Sequence, residues 1–136
     1  MKSIRNRSSL LALVLLLLAS LACGTGFRTT YTLTGNSGKI RVSMNDADGE
    51  NRTQLEINED YIRESVAVTA SLSVAAGSCQ ATLTGEDGSR LTLTAAEGNP
   101  GQANGELVTD AFGEITLETV GQNAENMELI LEFTRQ

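Results

Sequence analysis

The run Ser65-Val66-Ala67-Val68-Thr69-Ala70-Ser71-Leu72-Ser73-Val74-Ala75 decides the fold class. Val66, Val68, Ala70, Leu72 and Val74 recur at every second position, and Ser65, Thr69, Ser71 and Ser73 fill places between them. A period of two puts the first set on one face of a β-strand and the second on the other, so the run reads as a strand with one face in a core and one in water. It is longer than the usual five or six residues, which predicts a strand that bends or spans the whole sheet.

The same period continues on both sides. Upstream, Thr30–Thr34 and Lys39–Met44 alternate around Gly35-Asn36-Ser37-Gly38, a hairpin signal. A polar loop is expected from Asn45 to Arg52, then a strand at Gln54–Ile57. Asn58-Glu59-Asp60 reads as a turn, or as the cap of a short helix reaching Glu64. Downstream, Cys79–Thr84 and Arg90–Thr94 flank a tight turn at Asp87-Gly88. Glu97–Asn104 holds Gly98-Asn99-Pro100-Gly101 and predicts irregular chain. Glu106–Thr109, Glu114–Glu118 and Met127–Phe133 complete the strands, separated by Asp110–Gly113 and Gly121–Asn126.

Seven to nine short strands punctuated by turns define an all-β chain, expected as an antiparallel, jelly-roll-like β-sandwich. Its core is expected to hold Val66, Val68, Leu72, Val74, Leu83, Leu91, Leu93, Ile115, Leu117, Leu129, Leu131 and Phe133, each on the apolar side of an alternating run. The length suits one such domain, residues 31–136.

The first quarter of the chain is different. Lys2, Arg5 and Arg7 precede the apolar run Leu10–Leu18, followed by Ser20-Leu21-Ala22-Cys23, the layout of a secretory signal peptide over residues 1–22. The stretch from Leu10 to Ala22 is shorter than the roughly 20 residues that a membrane-spanning helix needs. Ser20-Leu21-Ala22-Cys23 resembles the lipobox of bacterial lipoproteins. The resemblance implies cleavage before Cys23, a diacylglycerol and an acyl chain on that residue, and a membrane-anchored, extracytoplasmic domain. Ser20 stands where that family prefers Leu, and Ser20-x-Ala22 also fits an ordinary signal peptidase; both readings cut after Ala22. In the family an Asp after the Cys often retains the protein at the inner membrane, so Gly24 leaves the outer membrane or cell surface open. Residues 23–30 are then the lipidated Cys and a short flexible tether.

Loss of residues 1–22 leaves seven cations against seventeen anions, a net charge of −10. Such a surface is repelled by nucleic-acid phosphates and anionic headgroups, and no Lys/Arg cluster offsets it. Nucleic acid is therefore discounted as a partner. The chain contains no His, which removes Ser-His and Cys-His nucleophiles and imidazole metal ligands. Cys79, with no second Cys left to pair with, shares a strand face with Ala81 and Leu83 and is expected to be buried and inert.

Three weaker signals remain. Asp46, Asp48 and Glu50 surround Gly49 with oxygen ligands of the kind calcium prefers, although the spacing departs from the helix-loop-helix pattern and a plain polar hairpin is the preferred explanation of the composition. Tyr31, Tyr61 and Phe112 are the aromatics expected at the surface. Phe112, at the tip of Asp110–Gly113, reads as a ligand platform or as a plug tucked onto the sandwich end. The plentiful acids are compatible with glycoside hydrolysis, which needs two carboxyls facing one cleft. The expected function is a non-catalytic binding or structural module at the cell envelope, without a resident cofactor, engaging an envelope protein or glycan; a small envelope hydrolase with paired carboxylates is the alternative.

Cys23→Ser is expected to release the domain from membranes or to leave an uncleaved precursor. Mass spectrometry of the mature amino terminus checks the modification directly, and an unmodified Cys23 overturns it.

Overall fold

The computed structural model describes residues 27–136; the leader, Cys23 and the first part of the tether lie outside the described residues. Eight strands follow in order: β1 (Arg28–Thr34), β2 (Ser37–Asp46), β3 (Gly49–Glu56), β4 (Ser65–Ser73), β5 (Ala76–Thr84), β6 (Arg90–Ala96), β7 (Gly101–Val108) and β8 (Glu114–Arg135). All of their pairings are antiparallel, and no helix forms among the described residues.

The 22-residue β8 organises the rest. Its first half pairs with β3 on one side and β5 on the other, and β6 extends the sheet beyond β5. Its second half pairs with β2 and β4, with β1 outside β2 and β7 outside β4. The result is one sheet folded double into a five-stranded leaf, β1-β2-β8-β4-β7, and a four-stranded leaf, β3-β8-β5-β6. β2 runs into β3, and β4 into β5, across only two residues each, so three neighbouring chains pass through the crease together.

Local chemistry shapes the crease. Inward positions along β8 advance by two, from Ile115 to Gly121, then by three to Ala124 and by three again to Met127, before resuming steps of two to Phe133. Each three-residue step contains an Asn of positive φ, Asn123 (52°) and Asn126 (49°), a conformation that Asn tolerates better than most residues. The Ala47 amide donates to the Ala124 carbonyl at 3.0 Å, and the Ala75 amide to the Glu125 carbonyl at 2.9 Å, so the outer chains stay tied to β8 while they bend. Gly121 is needed because a Cβ there would sit 1.9 Å from the Ala47 carbonyl oxygen.

All twelve expected core residues are buried, joined by Ile40, Val42 and Met44 of β2, Leu55 of β3, Leu107 of β7 and Cys79 of β5. Each large aliphatic contributes about 1.5–3 kcal/mol by leaving water. The end opposite the crease is capped by residues 57–64, a turn rather than a helix. Tyr61, expected at the surface, is buried there: its ring meets Phe133 edge-on at 6.4 Å, and Arg135 lies 4.9 Å over its face. The Thr109 hydroxyl donates to the Tyr61 carbonyl and accepts from the Glu64 amide at 3.0 Å.

Three expected loops are largely strand. The polar stretch Asn45–Arg52 narrows to Ala47-Asp48, and Glu97–Asn104 to the turn Glu97–Pro100, while Gly121–Asn126 lies within β8. At the other boundary β1 begins at Arg28, inside the stretch expected as tether. The long run Ser65–Ala75 ends as a strand at Ser73 and bends at Val74-Ala75 into β5.

Leu72→Ala and Leu129→Ala are each expected to lower the unfolding free energy by about 2–5 kcal/mol. Gly121→Ala, which adds a single methyl, is expected to cost about 1–3 kcal/mol by forcing the crease apart. Urea denaturation reads all three, and parental midpoints would overturn the assigned strand phase.

Candidate functional site

The two leaves close against each other on one side only. Where β6 meets β7, small residues allow backbone approach: a Cβ on Gly101 would sit 2.3 Å from the Thr94 carbonyl oxygen, and the Glu86 amide donates to the Val108 carbonyl at 2.9 Å. On the opposite side lie β1 and β3, each the edge of its leaf, and none of the described pairings joins them.

Register explains what this open edge presents. Thr29, Tyr31 and Leu33 lie opposite Val42, Ile40 and Gly38, so they point to the core side of the sheet. Yet Tyr31 and Leu33 are 46% and 54% exposed, because β1 overhangs the shorter leaf. Across the gap, Asn51, Thr53 and Leu55 of β3 share their face with Thr119, Leu117 and Ile115 of β8. The inner face is thus apolar on the β1 wall and, towards the crease, uncharged and polar on the β3 wall.

Two recesses lie along this edge. The one nearer the crease, about 200 Å³, is lined by Phe27, Met44, Asn51, Arg52, Thr53, Leu117 and Thr119. Thr119 is only 2% exposed, and its hydroxyl has no hydrogen-bond partner within the protein. A buried hydroxyl left unpaired costs about 1–3 kcal/mol. Arg52 lies 3.6 Å from Glu118, which balances its charge. The second recess is lined by Tyr31, Leu33 and residues 56–60, including Glu56, Glu59 and Asp60. Burial pushes the Tyr31 phenol above its ordinary pKa; the neighbouring Glu56 and Glu114 charges add to this, and the Glu56 backbone opposes it.

Of the residues singled out from sequence, Tyr31 lies on this edge, exposed as expected, and the others lie elsewhere. The Asp46 carboxylate accepts from the Asp48 amide at 3.0 Å, and Asp48 accepts from the Asn123 amide at 2.9 Å, so both hold the crease in shape. Glu50 stands opposite Val120 on the solvent face of β3, apart from them. Among the described residues no group of three or more Asp, Glu, His or Cys side chains is placed to hold a metal ion. Phe112 projects from its turn and is 73% exposed, which overturns the plug reading; Asp110 fixes the turn by accepting from the Phe112 and Glu114 amides at 2.8 and 3.0 Å. Cys79 is buried and free, as expected. Five carboxylates are matched to cations at the surface, among them Glu64 with Arg135 at 2.6 Å and Glu86 with Arg63 at 3.2 Å. The crease-side recess was missed because its uncharged polar members Asn51, Thr53 and Thr119 sit at inward positions of strands. The available signal was Thr119, the polar residue that continues the Ile115-Leu117 phase.

No family model matches the chain, and no curated protein matches it. Among solved structures it is similar to an oxalate oxidase in complex with glycolate (10% identity, 82% of this chain and 52% of that one, TM-score 0.46). It is also similar to the CBM22-1 xylan-binding domain of Paenibacillus barcinonensis Xyn10C (12%, 81% of each chain, 0.43). A third is the carbohydrate-binding module CBM6cm-2 of Cellvibrio mixtus lichenase 5A with cellotriose (16%, 82% and 88%, 0.37). The chain thus spans about half the length of the oxalate oxidase. These likenesses assign no role to any residue.

Burial holds the Cys79 thiol above the ordinary value of 9.0. As the pH passes that value, the unfolded chain loses this proton while the folded chain keeps it, so stability is full below about pH 9 and falls above it. Cys79→Ala is expected to soften that alkaline loss, measured by denaturant midpoints across pH, and a thiol reagent should label Cys79 only after unfolding. Millimolar calcium is expected to leave the melting temperature unchanged. Asp48→Ala should lower stability by about 1 kcal/mol with or without calcium, through the lost bond to Asn123.

Proposed function

We propose that this domain is a non-catalytic binding module, anchored by lipid on Cys23 at the bacterial outer membrane or cell surface, that takes an envelope glycan along its open edge. The observation that carries the reading is the edge itself, where two recesses follow one another: exposed Tyr31 and Leu33 on the inner face of β1 line one with residues 56–60, and the uncharged polar groups Asn51, Thr53 and Thr119 line the other beside Phe27. Sugars offer both apolar C–H faces and hydroxyls, and a cleft of this mixed character answers both. The acidic surface supports a ligand without anionic charge.

Anchoring and recognition are compatible in this arrangement. The chain reaches β1 at the crease end, since Arg28 lies opposite Ser43 and Asp46 opposite Glu125. A lipid on Cys23, four residues before Phe27, therefore keeps Phe27 within about 14 Å of the bilayer. The opposite end carries exposed Ile62 and Phe112.

The test is co-sedimentation with protease-treated envelope polysaccharide. Binding is expected to survive protease treatment and to weaken at least tenfold in Tyr31→Ala plus Leu33→Ser. Loss of binding on protease treatment would make the partner a protein. Release of shortened saccharide, abolished by Glu56→Gln, would make the domain a hydrolase instead.

A further inference from the structure

We infer that the crease-side recess is a subsite for a single neutral sugar ring, with Thr119 as its specificity-determining polar contact. The inference rests on the glycan reading above and adds to it the size, charge and register of what is bound.

Size comes first. At about 30 Å³ per water, a recess of about 200 Å³ displaces some six or seven waters, the scale of one monosaccharide unit rather than an extended chain. Chemistry comes second. Phe27, Met44 and Leu117 give the recess apolar walls, suited to the C–H face of a pyranose. Asn51 and Thr119 lie directly opposite one another in the β3–β8 register, and each carries both a donor and an acceptor. The Thr119 hydroxyl is 98% buried and unpartnered, so a ligand hydroxyl reaching it removes an existing penalty instead of exchanging one hydrogen bond for another. An acyl chain in the same place would leave Thr119 and Asn51 unpaired, which disfavours hydrocarbon as the occupant.

Charge comes third. Arg52 is the cation on the recess wall, and Glu118 neutralises it at 3.6 Å. With residues 23–136 carrying seven cations against seventeen anions, no uncompensated positive charge remains on the recess wall for a uronic acid or a phosphorylated sugar. Neutral hexoses and pentoses are therefore selected over their acidic counterparts.

The test uses the full chain in a detergent whose head group is not a sugar. Saturation-transfer NMR and calorimetry are run against matched neutral and uronic-acid oligosaccharides, with Thr119→Val, Asn51→Ala and Tyr31→Ala as variants. Thr119→Val removes the buried hydroxyl at nearly constant shape, so it is expected to keep or raise thermal stability while weakening neutral-sugar binding at least tenfold. Asn51→Ala should weaken it similarly, and saturation should concentrate on one ring of the ligand. Unchanged affinity in Thr119→Val, beside a loss in Tyr31→Ala, would overturn this subsite and leave the glycan reading standing. Absence of saccharide binding by the parent protein would overturn both, and equal affinity for acidic and neutral ligands would overturn the charge argument.

Discussion

Backbone hydrogen bonding has to survive the crease that turns one sheet into two leaves, and this requirement governs the molecule. A buried strand cannot drop its ladder without leaving amides and carbonyls unpaired at a cost comparable to losing the bonds outright. The chain meets the constraint by bending three neighbouring strands at one level. In β8 two Asn residues of positive φ absorb the extra length, Asp48 holds the Asn123 amide, and Gly121 lets the Ala47 carbonyl approach. Such bulges increase local twist and redirect a strand while leaving its partners in place. Both leaves inherit their register from β8, so the core forms only if the crease is correctly built.

Unequal leaves then create the site. Five strands face four, and the β6–β7 side is drawn together by glycine-mediated backbone approach. The excess falls on the other side, where β1 extends past its cover with the inner-face residues Tyr31 and Leu33 still in core phase. Polar residues at inward positions of β3 and β8 fit this geometry, since Asn51 and Thr53 lie where the opposing leaf no longer seals them from solvent. The same mismatch therefore produces both the apolar and the polar wall.

Period-two reading of the sequence located every core residue it named, because inward and outward positions differ in chemistry wherever a strand has one wet face. It failed at Asn45–Arg52, Glu97–Asn104 and Gly121–Asn126. Those stretches are rich in Gly, Asn and Asp, which signal turns locally, whereas here they are held in the ladder by partners far away in sequence. The steps of three in β8 also hide its continuity, splitting one strand into two apparent ones. Tyr61 was misjudged for a related reason, since its burial depends on Phe133 and Arg135 from the end of the chain. The acids at Asp46 and Asp48 were legible as a cluster, but their use as hydrogen-bond acceptors for backbone amides required the position of Asn123.

The central strand is also the last of the eight in chain order, and this has a consequence for biogenesis. Synthesis proceeds from the amino terminus, so β1 to β7 emerge before the element that joins them. Until residues 114–135 arrive, β2 and β3 have no β8 to pair with, and the pairs β1–β2, β5–β6 and β4–β7 have no strand to join them; an isolated two-stranded pair is at best marginally stable. A chain wired in this way stays pliable while it is being made and locks into shape only once residues 114–135 are available.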